Sequence, residues 1–502
     1  MATLRRERVG GAFWAAQPQL PAGRDVLVAP ASRAQLHEML ASLTPLERER
    51  SAVLAPSTWP LPDGVQRLPV LCDPWWLASR AALCLCDRND DLAMVMALQG
   101  VVLRQFGDAR DQIAALTEAL DGQTYTDPFT GEPWSVQQVI AQLGEWRRLI
   151  DANRQLDAVY GVARWKRITA DPLLWDGQGK VRHRATSRPP AVSQSRAAIW
   201  KSRAAPGLLG ALTASGTLLS ELEDGFIRSV GLGANCVPPL SLICDLSGVY
   251  FDPGGPSDLE TILQVSDIDS TLQKRASSLR ARLVQASISK YGQGGKPLDQ
   301  PNGVRRRVLV TGQVEDDRSI VCGGAGITNF LLLQRARELE GASWIIYKPH
   351  PDVEAGHRKG HIPDDEALRY ADEIARDVPI TSLLDTVDAV HVITSLAGFE
   401  ALLRGKQVTT HGTPFYAGWG LTRDLAAIPS RRTRRRSLDE LVAATLILYP
   451  RYLDPVTRLP CPPEVLVERM ANGAARVGSS LVFLRELQGR FQRLWHRATG
   501  AR

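Results

Sequence analysis

The sequence lacks the features of a disulfide-stabilised, secreted or membrane-spanning protein. Its seven cysteines are odd in number and scattered, without a C-x-x-C pair, which is typical of buried thiols in a reducing compartment. No stretch approaches 18 uncharged apolar residues, and the N-terminal residues contain no apolar signal segment. We therefore expect a cytoplasmic protein that is at most peripherally attached to a membrane.

The excess of positive charge is also small. Sixty Lys and Arg residues against 54 Asp and Glu residues leave a net charge of +6, which is too little for 502 residues to indicate a nucleic-acid partner. Five of the eight histidines lie between His350 and His411, but no D-x-D spacing accompanies them. We expect no catalytic metal.

The length of 502 residues exceeds what a single hydrophobic core usually supports, so two or three domains are predicted. The fold class is α/β. We expect a mostly helical region at 1–155 with one clear strand, and two Rossmann-like domains at 156–300 and 301–455. A glycine- and proline-rich linker at 292–303 joins these two domains. Residues 456–502 are expected to form C-terminal helices.

Polar residues follow three apolar strands in the second Rossmann-like domain. An apolar strand that begins at Arg307 leads into a polar Q-x-x-x-D loop with three consecutive acids at 315–317. The strand at 344–348 ends in an H-P pair, and the strand at 391–395 turns through 396–398 into a helix at 399–403. Because a ligand lies outside the carboxyl ends of strands in an open parallel sheet, these three ends are expected to form one site.

This predicted site suits a phosphate group. Lys348 and His350 can donate to phosphate oxygens, and the turn from Ser395 to Gly398 opens a helix whose N-terminus favours an anion. Glu400 is predicted in the first turn of that helix. There it is either an ordinary first-turn acid or an acceptor for two ribose hydroxyls, and the sequence leaves both interpretations open.

A second acidic motif, E-D-G, lies in the first Rossmann-like domain. Glu223 and Asp224 precede Gly225, and Arg228 follows after two apolar residues. Two carboxylates before a glycine permit a tight loop in which one acid acts as a base. A lone E-D-G is more often a solvated turn, but the apolar flanks favour function. Which acid is the base stays open.

Two basic segments and two capping patterns complete the chain. The arginine-rich run at 431–436 is interpreted as a solvated loop rather than a contact with anionic lipid. Helix starts are predicted at Ser135 and Ser437. The segment 481–497 is predicted to be a basic amphipathic helix that lies on a membrane surface or packs against the protein. Its apolar face comprises Leu484, Leu487, Phe491, Leu494 and Trp495.

Six motifs, in this order, resemble those of the capsule polysaccharide β-Kdo transferase family, the KpsC-like proteins that build the β-linked Kdo linker of Gram-negative capsules on a lipid acceptor. They occupy residues 223–233, 239–242, 312–317, 347–353, 394–402 and 414–422. The match is closest to the C-terminal module of the two-module members. By this resemblance, the region before it looks like a reduced remnant or replacement of the other module.

The resemblance implies a GT-B-like arrangement of the two Rossmann-like domains, CMP-Kdo as the donor, and retention of anomeric configuration. The family's nucleophile is the aspartate of the Q-x-x-x-D motif, which falls on Asp317. A carboxylate nucleophile is the direct way to achieve two inversions. Gln313 and Ser319 in the same loop are candidate substrate-binding residues.

The E-D-G and H-P motifs also resemble those of bacterial CMP-sialic-acid transferases. By that resemblance, Glu223 or Asp224 activates the acceptor hydroxyl, while His350 and Ser395 hold the CMP phosphate. Lys348 and Gly398 would add to the phosphate site, and Glu400 would hold the ribose. Arg228 is a candidate partner for the Kdo carboxylate on charge alone.

The implied partners are CMP-Kdo, a lipid-linked Kdo acceptor and the inner-membrane surface, with a second Kdo transferase and the capsule export machinery as further candidates. No cofactor is implied. Two alternatives are a transferase for CMP-sialic acid or another CMP-ulosonate, and a catalytically silent scaffold of the assembly and export complex. The Q-x-x-x-D motif argues against an inverting sialyltransferase, and the complete set of acids argues against silence.

Overall fold

The computed structural model describes residues 1–87, 91–106, 111–185, 196–229, 237–289, 292–293, 306–356, 358–376 and 378–475. The chain divides into two compact units. The smaller comprises Met1–Asp157 with Leu174–Arg182, and the larger comprises Ala158–Leu173 with His183–Arg502.

The smaller unit is built around a five-stranded parallel sheet. Its strands are β1 (Val26–Ala29), β2 (Ser51–Leu54), β3 (Gln66–Leu68), β4 (Leu83–Asp87) and β5 (Val102–Phe106), and a short hairpin pairs β6 (Tyr125–Thr126) with β7 (Pro133–Trp134). Its helices are α1 (Ala2–Glu7), α2 (Arg33–Ala41), α3 (Pro45–Glu49), α4 (Pro74–Ala78), α5 (Asp91–Gln99), α6 (Gln112–Asp121) and α7 (Val136–Asn153). The sheet order is β3-β2-β1-β4-β5, and all of its strand pairs are parallel.

Helices account for more of the described residues of this region than strands do, but the single strand expected here is one of five in a parallel sheet. β1 was recognised from its sequence, but the other strands of this sheet are only three to five residues long. Short apolar runs of that length cannot be told from helix segments by periodicity alone. All four residues of β1 are buried, as in a central strand covered on both faces.

The larger unit contains two six-stranded sheets and a two-stranded ribbon. Its strands are β8 (Leu156–Tyr160), β9 (Arg196–Ile199), β10 (Leu218–Asp224), β11 (Ser241–Asp245), β12 (Ile288–Ser289), β13 (Gly292–Gln293), β14 (Arg307–Thr311), β15 (Trp344–Lys348), β16 (Glu373–Ile374), β17 (Ala389–Val392), β18 (Gln407–Thr410), β19 (Arg423–Asp424), β20 (Arg451–Leu453) and β21 (Pro460–Cys461).

Its helices are α8 (Arg164–Leu174), α9 (Pro206–Ala214), α10 (Asp258–Val265), α11 (Ser270–Gln285), α12 (Arg318–Gly323), α13 (Asn329–Glu340), α14 (Pro351–Glu354), α15 (Asp364–Ala367), α16 (Ile380–Thr386), α17 (Leu396–Leu403), α18 (Leu438–Val442) and α19 (Pro463–Ala471). A 3-10 turn at Lys201–Arg203 and a π-helix at Ala443–Leu448 complete it.

The first large sheet is mixed, with the order β21-β20-β11-β10-β9-β8. β9 and β10 are parallel, whereas β11 runs antiparallel to both β10 and β20. Because β20 and β21 follow the second sheet in the sequence, the chain crosses back to complete the first one. Residues on both sides of the predicted boundary at 455 therefore belong to the mixed sheet.

The second large sheet is parallel throughout, with the order β16-β15-β14-β17-β18-β19. β14 lies between β15 and β17, and Val308 is level with Ile345 on one side and Ala389 on the other. The chain reverses its direction of strand addition at β14, so the three strand ends that carry the motifs are neighbours. The α/β fold class is confirmed.

An aromatic cluster joins the two sheets of the larger unit. The ring of Phe226 lies 4.7 Å from that of Tyr250 and 4.9 Å from that of Phe415, centroid to centroid. Phe399 packs on Phe415 at 5.4 Å. Because such rings bury large apolar areas in defined orientations, they fix the loop after β10 against the start of α17.

The arginine-rich run is not a solvated loop, so that interpretation is wrong. Arg431 and Arg432 both bind the Glu260 carboxylate, and Arg432 also donates to the carbonyls of Pro414 and Ala417. Arg436, which is also buried, donates to the carbonyls of Leu263 and Ser266. A guanidinium carries five N–H donors, so these arginines can satisfy carbonyls that loops leave open.

Two of the predicted features lie wholly or mostly in residues that the structure does not describe. The amphipathic helix at 481–497 lies outside the described residues, as does most of the linker at 292–303. Within the described residues, every helix is too short or too polar to cross a bilayer.

Candidate active site

The Q-x-x-x-D loop connects β14 to α12, and Asp317 is the residue that caps this helix. Its Oδ1 accepts hydrogen bonds from the Ser319 N–H at 2.9 Å and from the Ser319 hydroxyl at 2.7 Å. The side chain is exposed, and Oδ2 has no hydrogen-bond partner among the described residues. Ser319 thus orients Asp317, while the second oxygen stays available for chemistry.

The two acids before Asp317 are engaged elsewhere. Glu315 accepts a hydrogen bond from the Asn329 N–H at 2.8 Å at the start of α13. Asp316 lies 3.2 Å from Arg358. The structure therefore distinguishes Asp317 from its neighbours by the availability of its carboxylate.

Gln313 holds the loop in place. Its carboxamide is buried, accepts from the Thr394 N–H at 2.9 Å and donates to the Thr394 hydroxyl at 3.2 Å. Its own N–H donates to Asn329 Oδ1 at 2.8 Å. Gln313 was predicted to bind substrate, but its side chain joins the end of β14 to the end of β17.

Lys348 is the last residue of β15 and His350 follows it, and the two side chains differ in exposure. Lys348 is buried, and its ammonium donates to the carbonyls of Arg376 at 3.0 Å and Ala375 at 3.3 Å. The predicted phosphate contact would compete with these bonds. His350 Nδ1 accepts from the Asp352 N–H at 3.2 Å, which leaves the proton of the neutral ring on Nε2.

His350 is electrostatically close to the Asp317 loop. Burial lowers the pKa of His350, while the carboxylates of Asp352 and Asp317 oppose that shift. A neutral imidazole with a free Nε2–H is a hydrogen-bond donor to an anion. The structure thus brings the H-P motif and Asp317 into one region.

The turn after β17 differs from its prediction in two details. Ser395 caps α17, accepting from the Ala397 N–H at 3.2 Å, so Glu400 lies in the second turn and not in the first. The helix starts earlier than expected because Ser395, and not Gly398, ends the extended chain. Gly398 leaves space for Tyr416, since a Cβ there would lie 2.2 Å from the Tyr416 hydroxyl. This contact within the protein accounts for a glycine at 398.

Glu400 is buried in a small, largely apolar cleft. The other lining residues are Phe226, Ile227, Leu283, Ile288, Leu396, Phe399, Leu403 and Leu446. A carboxylate on a mainly apolar wall is a selective acceptor for hydroxyl donors. This placement, rather than the helix dipole, favours a binding role for Glu400.

The E-D-G acids lie at the end of a strand. Glu223 is level with Ile243 and Asp224 with Leu242 in the antiparallel β10–β11 pair. Gly225 then turns the chain so closely past Ser241 that a Cβ would lie 2.2 Å from its hydroxyl. Side chains alternate along a strand, so Glu223 shares a face with Glu221 and Asp224 points to the other face.

Asp224 is held by two cations. Lys166 Nζ lies 2.9 Å from its Oδ1, and Arg228 Nε lies 2.6 Å from its Oδ2. Burial would raise the pKa of Asp224, but Lys166 and Arg228 hold it below its ordinary value. A carboxylate whose two oxygens are both paired is a poor acceptor for a further proton.

The prediction that Arg228 meets a substrate carboxylate is contradicted by its contacts. Its side chain is only 1% exposed. Beside its bond to Asp224, it donates to the Ser229 hydroxyl at 2.7 Å and to the Val237 carbonyl at 3.1 Å. The guanidinium is therefore used for contacts inside the protein.

Sequence reasoning missed the ion pairs that join the two acidic motifs. Glu221 is buried between Lys201 Nζ at 2.5 Å and Arg318 Nη1 at 2.6 Å. Arg318 also lies over the Phe251 ring, 4.9 Å from its centroid. The sequence signal for these ion pairs was an acid, Glu221, two residues before Glu223. The ion pair between Glu221 and Arg318 holds the residue after Asp317 against β10.

A buried histidine pair lies in the parallel sheet. His391 Nδ1 is 3.0 Å from His411 Nε2, and His391 Nε2 is 3.1 Å from the Glu340 carboxylate. Burial lowers the pKa of His411 to about 3. In the described ranges, no three His, Cys, Asp or Glu side chains are grouped as metal ligands would be.

Comparison with known proteins supports the family resemblance that these motifs indicate. Residues 199–452 match the sequence model of a family described as capsule polysaccharide biosynthesis protein. The chain is 43% identical over 338 residues to the capsule polysaccharide modification protein LipA of Neisseria meningitidis serogroup A, covering 66% of this chain and 48% of that protein. It is 49% identical over 239 residues to the lipopolysaccharide-processing protein LpsZ of Rhizobium meliloti, covering 47% of this chain and 54% of that one. The chain thus spans about half the length of these curated relatives.

Two solved structures share the fold. The β-Kdo 2,4 transferase of Thermosulfurimonas dismutans KpsC aligns with a TM-score of 0.54 and 31% identity, covering 62% of this chain and 98% of that one. The β-Kdo 2,7 transferase of the same protein aligns with a TM-score of 0.50 and 32% identity, covering 63% and 98%. From the family match and these two structures, we conclude that the chain belongs to the KpsC-like capsule polysaccharide biosynthesis family.

Proposed function

We propose that the chain is a retaining β-Kdo glycosyltransferase that uses CMP-Kdo to build the poly-Kdo linker on the lipid terminus of capsular polysaccharide. The observation that carries this proposal is the available carboxylate of Asp317, held at a helix start and tied through Arg318 to the strand that bears Glu223. The similarity to the two β-Kdo transferases of Thermosulfurimonas dismutans KpsC supports the choice of sugar.

In the first step, Asp317 Oδ2 attacks C2 of the donor Kdo. The bond from C2 to the phosphate oxygen breaks, and its electron pair leaves with CMP. His350 can donate its Nε2–H to the departing phosphate, and the N-terminus of α17 at Ser395 adds a favourable dipole. The product is a Kdo ester of Asp317 with inverted configuration.

In the second step, the acceptor hydroxyl attacks the same carbon from the opposite side. Its proton passes to Glu223, and the electron pair of the C2–Oδ2 bond returns to the Asp317 carboxylate. The second inversion restores the configuration of the donor. Glu223 is favoured as the base because both oxygens of Asp224 are paired with cations.

The carboxylate of Kdo needs a cation very close to the nucleophile. In a 2-ulosonic acid the carboxylate is bonded to the reacting carbon itself, so its partner must lie next to Asp317. We assign this role to Arg318 in place of Arg228. Its side chain is about a third exposed, and its bond to Glu221 uses one of five donors. Arg318 can bind the sugar and β10 together.

The proposed site holds the nucleotide at Glu400 and the H-P motif. Glu400 would accept from the ribose hydroxyls within its apolar cleft. No cofactor is assigned to the reaction. The acceptor is lipid-linked, so we also place the enzyme on the cytoplasmic face of the inner membrane. Cosedimentation with phosphatidylglycerol vesicles before and after truncation at Ser480 tests this location.

Transfer assays test the function. The full chain is incubated with CMP-Kdo or CMP-sialic acid and a synthetic Kdo-terminated acceptor, and the product is analysed by NMR. Transfer of Kdo with a β-linkage is the expected result. Transfer of sialic acid alone would establish the other CMP-ulosonate specificity. Absence of transfer from both donors, with a correctly folded chain, would favour a silent scaffold of the assembly and export complex.

A further inference from the structure

Lys166 contributes a buried charge to the acceptor side of the site from outside the segment that matches the family. It lies on α8, before the matched residues 199–452. Its side chain is buried, and Nζ lies 2.9 Å from Asp224 Oδ1. Nζ also lies 3.5 Å from the centroid of the Trp200 ring and 5.4 Å from that of Trp165. A carboxylate and two aromatic faces thus enclose the ammonium.

The charges around Lys166 come from three parts of the chain. Asp224 and Glu223 belong to β10, and Arg228 belongs to the loop that follows. Arg318, on α12, is close enough to Glu223 for their charges to interact. Burial lowers the pKa of Lys166, while the carboxylates of Asp224 and Glu223 oppose that shift. Lys166 therefore interacts with both candidate bases.

We propose that Lys166 is a positioning residue of the acceptor site, which with Arg228 fixes Asp224 as a permanent anion and so leaves Glu223 to take the proton of the acceptor hydroxyl. The inference rests on the proposed function and deepens it. It assigns different roles to two adjacent acids that the sequence could not separate.

The geometry supports this division of roles. Asp224 Oδ1 is paired with Lys166 and Oδ2 with Arg228, so protonation of Asp224 would break a buried ion pair. Glu223 lies on the other face of β10, which it shares with Glu221 and the Arg318 contact. The Glu223 carboxylate also acts on Lys166, where it opposes the lowering of the Lys166 pKa by burial, so Lys166 interacts with both acids.

The test compares variants of the full chain. Lys166→Met removes the charge and keeps much of the apolar stem, whereas Lys166→Arg keeps the charge. Lys274→Met, at an exposed lysine of α11, is the matched control. Each variant is assayed for CMP release with labelling of Asp317 by CMP-Kdo, and for transfer to a Kdo-terminated acceptor across a range of pH.

Lys166→Met is expected to leave Asp317 labelling intact and to lower kcat for acceptor transfer by roughly 10- to 100-fold, less than the roughly 10²- to 10⁴-fold contribution of a general base itself, because Glu223 is still present. Loss of a cation beside the base disfavours its ionised form. The acidic limb of the pH–rate profile should therefore move to higher pH, by about one unit. Lys166→Arg should restore much of the rate and the original limb, and the control should match the unchanged chain.

The two acids provide a second test if Lys166→Met folds poorly. Asp224→Asn should keep an acidic limb, and Glu223→Gln should abolish it. The proposal is overturned if the reverse is observed, or if folded Lys166→Met transfers with an unchanged rate and limb. Failure of the unchanged chain to transfer Kdo would instead reject the proposed function, so the two results are distinguishable.

Discussion

Arg318 Nη1 lies 2.6 Å from Glu221 Oε1, so the residue after Asp317 is bound to the strand that carries the E-D-G motif. Glu221 is buried and also pairs with Lys201. The Asp317 loop and β10 are thus joined by this ion pair. In the proposed mechanism, Arg318 would contact both Glu221 and the carboxylate of the donor sugar.

Arg318→Met is expected to raise the KM for CMP-Kdo roughly tenfold or more, because a charge-assisted hydrogen bond to the carboxylate is lost. Affinity for CMP alone should stay unchanged, since CMP lacks that carboxylate. Titration calorimetry with CMP and steady-state kinetics with CMP-Kdo measure the two effects. Arg318→Lys, which keeps the charge, is the control. Equal loss of CMP affinity would contradict the assignment.

Asp317→Ala should abolish transfer, by a factor on the order of 10³ or more, because the covalent intermediate cannot form. CMP binding should persist, since the carboxylate acts on the sugar carbon. Asp316→Ala is the matched control, because Asp316 pairs with Arg358 on the same loop. Mass spectrometry should locate the trapped Kdo adduct on Asp317. An adduct on Asp316 or Glu315 would refute the choice of nucleophile.

The strands that carry the donor motifs were predictable from the sequence. The strand predicted to begin at Arg307 corresponds to β14, and the strand predicted at 344–348 matches β15, whereas β17 is Ala389–Val392 rather than 391–395. Ile393 is apolar and buried but lies beyond the strand. An apolar pattern in the sequence indicates which residues are buried, but the hydrogen bonds of a β-strand can end before the buried stretch does. The capping patterns at Ser135 and Ser437 are confirmed, because those signals are local.

The charged contacts of the site were not predictable in the same way. Lys166 is 58 residues from Asp224, and Arg318 is 97 residues from Glu221. Such pairs depend on how the sheets meet, which residue spacing does not encode. The sequence therefore identified the acids but not which of them are already paired. This is why Arg228 was wrongly assigned to the substrate.

His350→Ala is expected to weaken CMP binding by about 1.5–3 kcal/mol, the scale for a hydrogen bond to a charged group. Its Nε2–H is the donor that the Asp352 contact leaves for a phosphate oxygen. Glu400→Ala should weaken CMP binding similarly through the ribose. Calorimetry with CMP measures both, and His361→Ala is the control at an exposed histidine. Unchanged CMP affinity in both variants would show that the nucleotide binds elsewhere.

The buried His391–His411 pair should make the larger unit less stable as the pH falls. An unfolded histidine has an ordinary pKa of 6.5, whereas burial lowers the pKa of folded His411 to about 3. Between these values the unfolded state binds a proton that the folded state does not, so acid favours unfolding. The stability lost from pH 6.5 to pH 5 is roughly 2 kcal/mol for this one group, at about 1.4 kcal/mol per pH unit. Stability is regained only as pH rises back through this window.

His411→Gln cannot take up this proton, and it should therefore flatten the dependence of unfolding free energy on pH between 7 and 5. Urea unfolding followed by tryptophan fluorescence at several pH values measures the slope. His361→Gln, at an exposed histidine of the same unit, should keep the slope of the unchanged chain. If His411→Gln shows the same slope as that control, the buried pair does not set the acid sensitivity. A flattened slope would show that the His411 imidazole stays neutral in the folded protein because it is buried.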